Sequence, residues 1–440
     1  MKLKLPKNSN LKEQYICDNS SECDGDTAFL ITPLSAKYID DAKNRGVATF
    51  VAANELRDIF DLSAIKIIGI TGTNGKTTTA AAIYSLLLDS GKKVALQGTR
   101  GFFVNENRVE EKSLTTPMQL NIFANILAAI DAGCEYFVME VSSHAIAQKR
   151  IEGLSFTIKI ITNITQDHLD FHKTFENYRD TKNEFLKDDT LKLINVDDEN
   201  IVFNGQNAKT YGLEKHADYK VGAYSLNEGI FAVIEKAGQN FSFHASMAGV
   251  FNIYNLTAAI AAVDMLTDVG MERITEYVEN FGGVGGRMEI VSTSPFVVVD
   301  FAHTPDGIAK VLEALGGSKV TVVFGAGGDR DATKRPLMGK EAAMRASKVI
   351  VTSDNPRSES PKIIISQILE GIEDKNKVAI VEDRYEAIKK ALSEQKEGEI
   401  VAILGKGDET SQIFDGKTIH FDDREVAREI LKQLGKWRLI

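Results

Sequence analysis

The chain has 440 residues, too many for one hydrophobic core at about 150 residues per domain, so two or three domains are expected. Lysine plus arginine total 52 against 62 aspartate plus glutamate, a net charge of −10 without a long basic block, which argues against a general nucleic-acid or membrane-surface binder. No apolar run approaches the roughly 18 residues that span a bilayer, and the basic start, Met1 to Lys7, lacks a signal-peptide apolar region, so a cytoplasmic location is expected.

Residues 1–64 read as a short α/β segment: a strand-like run Ala28–Ile31, a helical pattern near Ala36–Asn44 and a second strand near Ala48–Ala52. It is too small to carry the chemistry. Its Cys17 and Cys23, like Cys134 further on, have neither metal-ligand nor redox-motif spacing and are expected to be reduced structural thiols. Over 65–284, apolar runs alternate with helical periodicity: Ile65–Ile70, Lys93–Leu96, Glu135–Met139, Ile158–Ile164, and an Ala-rich helix from about Asn255 to Leu266. That alternation predicts a doubly wound α/β domain. The glycine cluster Gly282-Gly283-Val284-Gly285-Gly286 breaks the chain and sets the next boundary. Residues 285–440 form a third α/β unit with strands at Phe296–Val299, Lys319–Phe324, Lys348–Val351 and Glu399–Leu404. Chemically loaded residues follow predicted strands in both large domains, where open parallel sheets bind ligands, so a cleft between domains is expected.

Gly72-Thr73-Asn74-Gly75-Lys76-Thr77-Thr78 sits between an apolar strand and an Ala-rich helix and reads as a nucleotide phosphate loop. Backbone N–H groups and a positive helix end face phosphate oxygens, Lys76 can reach the terminal phosphates, and Thr77 can ligate magnesium. Glu140, at a strand end, can complete a magnesium shell with Thr77; as a bare solvated carboxylate it would be unremarkable without Ser142, Ser143 and His144 beside it. His168 lies in Asp167-His168-Leu169-Asp170-Phe171-His172, a cluster that points to a metal or phosphate, with magnesium or manganese favoured over zinc by the oxygen ligands. Asn252 and Asn255 sit three apart at a helix start and either point at a purine edge or serve as N-caps. Arg287, just past the glycines, and Asp300 and His303, after a strand, are placed to meet nucleotide from the far domain; surface ion pairing is the bland alternative.

Taken in order, Gly72–Thr78, Glu140–His144, Thr162-Asn163 with Asp167–His172, Gly249–Asn255, Gly286–Glu289, Asp300–Asp306 and Asp354–Glu359 resemble the Mur ligases. The likeness runs from about Ile65 to the C-terminus. It implies three domains: a small UDP-substrate-binding segment, a central P-loop ATPase-type domain, and a C-terminal Rossmann-like domain that takes an amino acid. It also implies an ATP- and Mg2+-dependent ligase of peptidoglycan precursor synthesis, acting as a monomer, that adds meso-diaminopimelate to UDP-MurNAc-L-Ala-D-Glu through an acyl phosphate. By resemblance, Lys76 and Thr77 serve phosphates and magnesium, and Glu140 and His168 serve the metals. Lys182 falls at the family's carbamylated lysine, although from the sequence alone it reads as a solvated helix lysine. Thr115, Thr116, Ser142, Gln148 and Arg150 match positions that hold the nucleotide-sugar peptide. Arg335, Asp354, Asn355, Arg357, Gly405 and Glu409 match the amino-acid site. Two stretches depart from the family: Asp18-Asn19-Ser20 stand where it has Asp-Ser-Arg, and Asp408 replaces a His. The alternatives are a lysine-adding or folylpolyglutamate synthetase-like ligase, and a catalytically silent ATP-binding regulatory protein.

Overall fold

Each of the three α/β stretches builds its own sheet in the computed structural model, which describes residues 1–111, 114–226, 229–316 and 318–436. The first sheet has four strands, Lys2–Lys4, Tyr15–Cys17, Thr27–Ile31 and Phe50–Ala52, of which the first two carry no sequence signal. It rests on the central unit through Leu5, Ile16 and Leu30, which pack against Leu120 and Phe123 of the helix Gln119–Asp131.

The central sheet has eleven strands. Its parallel block runs Tyr219–Ser225, Ala208–Gly212, Leu191–Asn195, Phe156–Ile161, Lys66–Thr71, Tyr136–Glu140, Val94–Gly98. Helices cover it, so strands such as Lys66–Thr71 are apolar on both faces, as parallel strands must be. Antiparallel strands extend it at both edges, Ile230–Lys236 with Gln239–Ala245 and Gly101–Val104 with Asn107–Glu110, so the domain is a mixed rather than purely parallel sheet. The helices Lys76–Asp89 and Val250–Leu266 pack together through Ala80–Ile83 and Ala258–Val263, whose small side chains let the backbones approach. The second helix begins five residues before the predicted Asn255, because Gly249 at φ 92 turns the chain into it.

The main sheet of the last unit has six strands, and Ser411–Phe414 pairs with Lys417–His420 in a separate two-stranded sheet. Phe296–Asp300, Glu399–Leu404, Lys319–Phe324, Lys348–Val351 and Val378–Ile380 are parallel, and Glu289–Thr293 is antiparallel at the edge. The glycine linker is tight at its far end: a Cβ on Gly286, at φ 70, would lie 2.1 Å from the Asp408 amide nitrogen and 2.3 Å from the Gly407 carbonyl carbon. At Gly282 a Cβ would have no neighbour within 4 Å. Cys17, Cys23 and Cys134 are free and buried. Among the described residues, no helix is long and apolar enough to cross a membrane.

Candidate active site

The strand Lys66–Thr71 delivers the phosphate loop to the sheet's C-terminal edge, and the helix that follows starts at Lys76. Neighbouring groups hold the loop closely. Asn74 N donates to Asn163 Oδ1 at 2.9 Å, Thr73 N to the Asn163 carbonyl at 2.7 Å, and Thr162 Oγ1 to the Asn74 carbonyl at 2.6 Å. A Cβ on Gly72 would fall 1.9 Å from Thr162 Oγ1, and one on Gly75 would fall 2.3 Å from Asn255 Oδ1, so both positions require glycine. Thr78 is buried in the first helical turn. Lys76 Nζ folds back onto the carbonyls of Gly72 and Thr73, at 2.8 and 2.9 Å, and burial lowers its pKa.

Lys182 is buried rather than solvated. It sits on the helix Phe175–Glu184 and its Nζ donates to the Gly72 carbonyl at 2.8 Å. Burial, with Lys76 as a second cause, pushes its pKa well below the usual value. Asn252 and Asn255 are not N-caps, since the helix is capped by Gly249. Asn252 lies deep, donating to the Ala248 carbonyl and accepting from Asn255 Nδ2, and only Asn255 lines the cleft. The pair therefore braces the phosphate loop from below.

Glu140 ends the strand Tyr136–Glu140 and is buried. Its Oε2 accepts from Thr77 Oγ1 at 2.9 Å and its Oε1 from Thr99 N at 2.8 Å. His168 takes a left-handed φ of 54° and stacks edge-on against His144, ring centroids 4.8 Å apart. Burial pulls the His168 imidazole down to about 3 against the upward effect of Asp167, so the ring is neutral and one nitrogen can ligate a metal. Thr77, Glu140 and His168 are a donor set suited to magnesium or manganese. Among the described residues no three His, Cys, Asp or Glu side chains converge as a metal cage. Behind Glu140, Thr116 Oγ1 donates to the Glu140 carbonyl and accepts from Ser142 N, each at 2.9 Å, while Arg150 bonds the Thr116 carbonyl and Gln148 Oε1. Of the five residues matched to the nucleotide-sugar peptide, Thr115, Thr116, Ser142, Gln148 and Arg150, only Thr115 lines the cleft itself.

The last unit faces this edge. Asp300 caps its strand end by accepting from the Met288 and Ala302 amides, both at 2.7 Å, and burial raises its pKa. The Arg287 guanidinium lies 4.0 Å over the Phe301 ring. His303 donates from Nδ1 to the Phe301 carbonyl, and burial, with Lys334 beside it, lowers it to about 4. Further along the cleft stand Asp354, Asn355, Arg357, Gly405 and Glu409, with Asn355 Nδ2 donating to Glu409 Oε2 at 2.8 Å and Arg357 Nη1 to the Gly328 carbonyl at 2.6 Å. Arg335 does not join them: it is buried and forks onto Glu359, with further bonds to Gln367 and the Gly327 carbonyl. The neighbouring Lys334 faces the cleft instead, 3.2 Å from Asp167 Oδ1 across the two units. Asp306 also crosses, its Oδ2 accepting from Asn74 Nδ2 at 2.8 Å and Thr165 Oγ1 at 3.3 Å. Sequence reasoning missed Lys334 and gave Asp306 no role.

The two edges enclose a cleft of about 1240 Å³, room for more than one small substrate. Two family models match the chain: the Mur ligase middle domain over residues 70–263 and the Mur ligase glutamate ligase domain over residues 286–407. A Helicobacter pylori protein named UDP-N-acetylmuramoyl-L-alanyl-D-glutamate–2,6-diaminopimelate ligase is 50% identical over 428 residues, 94% of this chain and 95% of that protein. A Wolinella succinogenes protein of the same name is 50% identical over 425 residues, 97% of each. A solved structure of a ligase so named superposes with a TM-score of 0.65 at 27% identity, covering 99% of this chain and 100% of that one. With the phosphate loop, the buried strand-end carboxylate and the facing strand-end loops of the last unit in one cleft, these matches show that the chain belongs to the Mur ligase family.

Proposed function

We propose that this protein is the ATP-dependent ligase that joins meso-2,6-diaminopimelate to the D-Glu side-chain carboxylate of UDP-MurNAc-L-Ala-D-Glu. One observation supports it above others: a phosphate loop and an arginine-bearing acceptor loop, Asp354-Asn355-Pro356-Arg357, line one cleft from opposite sides. The relatives' names supply the substrates. A carboxylate resists an amine until one of its oxygens becomes a phosphate leaving group, so transfer from ATP to an acyl phosphate must precede amide formation. Lys76, released from the Gly72 and Thr73 carbonyls, neutralises the terminal phosphates, and Arg287 and His303 meet the nucleotide from the far side. Asn255 keeps the loop's shape, with Asn252 beneath it. Thr115, Thr116, Ser142, Gln148 and Arg150 position the peptide carboxylate next to Glu140.

Thr77, Glu140 and His168 would hold Mg2+, which would supply positive charge to offset that of the phosphates. A low pKa makes Lys182 nucleophilic as a free amine, and its addition to carbon dioxide gives a carbamate and a proton, turning a cation into an anionic oxygen donor for a second ion. Arg357 clamps the distal carboxylate of the acceptor in parallel hydrogen bonds, while Glu409 faces its ammonium and Asp354 and Gly405 shape the wall. Arg335 acts one step back, through Glu359 and Gly327. Domain limits of 1–64, 65–284 and 285–440 are compatible with the three main sheets, and a monomer suffices because one chain supplies both edges. The test is phosphate and ADP release with the nucleotide-dipeptide and a panel of amino acids. Turnover only with meso-diaminopimelate is expected. Comparable lysine use removes the acceptor assignment, and no ADP with any acceptor favours a silent ATP-binding protein.

A further inference from the structure

Beneath the acceptor end of the cleft lies a lysine that none of these steps uses. Lys406 follows the strand Glu399–Leu404 and is wholly buried. Its ammonium reaches three acceptors, the Ser411 carbonyl at 2.6 Å, Glu409 Oε2 at 3.1 Å and Asn355 Oδ1 at 3.4 Å. An ammonium carries three donors, so each is assigned and none is left for a ligand. Asn355 is committed too: its Oδ1 also accepts from Ile413 N at 3.0 Å, and its Nδ2 donates to Glu409 Oε2 at 2.8 Å. Lys406 and Asn355 thus grip one oxygen of the Glu409 carboxylate from two sides. Glu409 lines the cleft with its side chain 37% exposed, and Oε1 is the oxygen left for a ligand.

Anchoring the loop to the Ser411 carbonyl would need only a neutral donor. A buried ammonium is costly to desolvate unless a counter-charge meets it. Among the described residues, Glu409 is the one carboxylate within ion-pairing distance of Lys406. The charge is therefore matched to Glu409 rather than to the loop.

We propose that Lys406 is a positioning residue for acceptor selection: acting through Glu409, it aims that carboxylate's open oxygen at the distal ammonium of a diamino dicarboxylate. The proposal rests on the reading of meso-diaminopimelate as acceptor. Its test compares wild type, Lys406→Met, Glu409→Gln and the double variant on two acceptors, meso-diaminopimelate and 2-aminopimelate, which keeps both carboxylates and lacks the distal amine. Lys406→Met should raise KM for meso-diaminopimelate by about tenfold, a difference of ~1.4 kcal/mol, with KM for ATP unchanged. Turnover of 2-aminopimelate should be untouched, and the loss should not add to that of Glu409→Gln, as for two groups in one network. Equal losses on both acceptors, or additive losses, overturn the proposal in favour of a purely structural lysine. So does failure to fold by both Lys406→Met and Lys406→Gln, the second of which keeps a donor for Ser411. A wild-type enzyme that takes lysine as well as meso-diaminopimelate sinks the acceptor reading and this proposal together. A wild-type preference for meso-diaminopimelate over 2-aminopimelate that Lys406→Met leaves intact sinks this proposal alone.

Discussion

Lys76 holds its ammonium on two carbonyls of the loop it serves, and phosphate oxygens are stronger, charged partners for the same donors. Lys76→Ala removes those two bonds and no core packing. Its kcat should fall by at least ~10²-fold, as when one transition-state donor is deleted, with an unchanged melting temperature. ADP release and a thermal melt on the same preparation check this. Lys182 packs deeper, and Lys182→Ala should be nearly inactive, with activity partly restored by acetate as a separate carboxylate; no recovery across an acetate titration counts against the carbamate. At the acceptor end, Arg357 without a distal carboxylate faces a polar site left unpaired, the situation that rejects an analogue by roughly 10⁴-fold. Arg357→Ala should erase most of the preference for meso-diaminopimelate over lysine, chiefly through KM, as kcat/KM on the two acceptors would show.

The helix Phe175–Glu184 brings Lys182 to the phosphate loop, and Thr174 starts it by accepting from Asn177 N at 3.2 Å. Thr174→Ala should cost about 1 kcal/mol of stability, seen as a lower urea midpoint with the slope unchanged. The sequence disclosed elements in proportion to their burial. Lys319–Phe324, Lys348–Val351 and Glu399–Leu404 were legible residue for residue, because strands covered on both faces are unbroken apolar runs. Lys2–Lys4 and Tyr15–Cys17 are three residues each, too short to display a period. The antiparallel strands Ile230–Lys236 and Gln239–Ala245 alternate buried and exposed positions, a pattern that a search for apolar runs passes over. The site was legible where its chemistry sits on strand-end loops. Lys334 and Arg335 are adjacent on one helix, and only the three-dimensional direction of that helix decides that the lysine enters the cleft while the arginine turns into the protein.

Across the whole molecule, the central and last units touch through Asn74 and Thr165 to Asp306, and through Lys334 to Asp167. Asp167 is buried, and although burial raises its pKa, the Lys334 ammonium, helped by the hydrogen bond from the His168 backbone amide, holds it below the usual value. Lys334→Met would strand that carboxylate, at a cost of about 3–5 kcal/mol if the cleft stayed shut. Opening lets water reach Asp167 at less cost, so the variant should show a larger radius of gyration by small-angle scattering; an unchanged radius with unchanged stability would contradict the role of this pair. The glycine linker has two unlike ends: a side chain would find open space at Gly282, whereas at Gly286 it would meet the backbone of Gly407 and Asp408. The loop that carries Glu409 and the far end of the linker thus lie hard against one another, so a side chain introduced at Gly286 would push directly on the face proposed to take the acceptor.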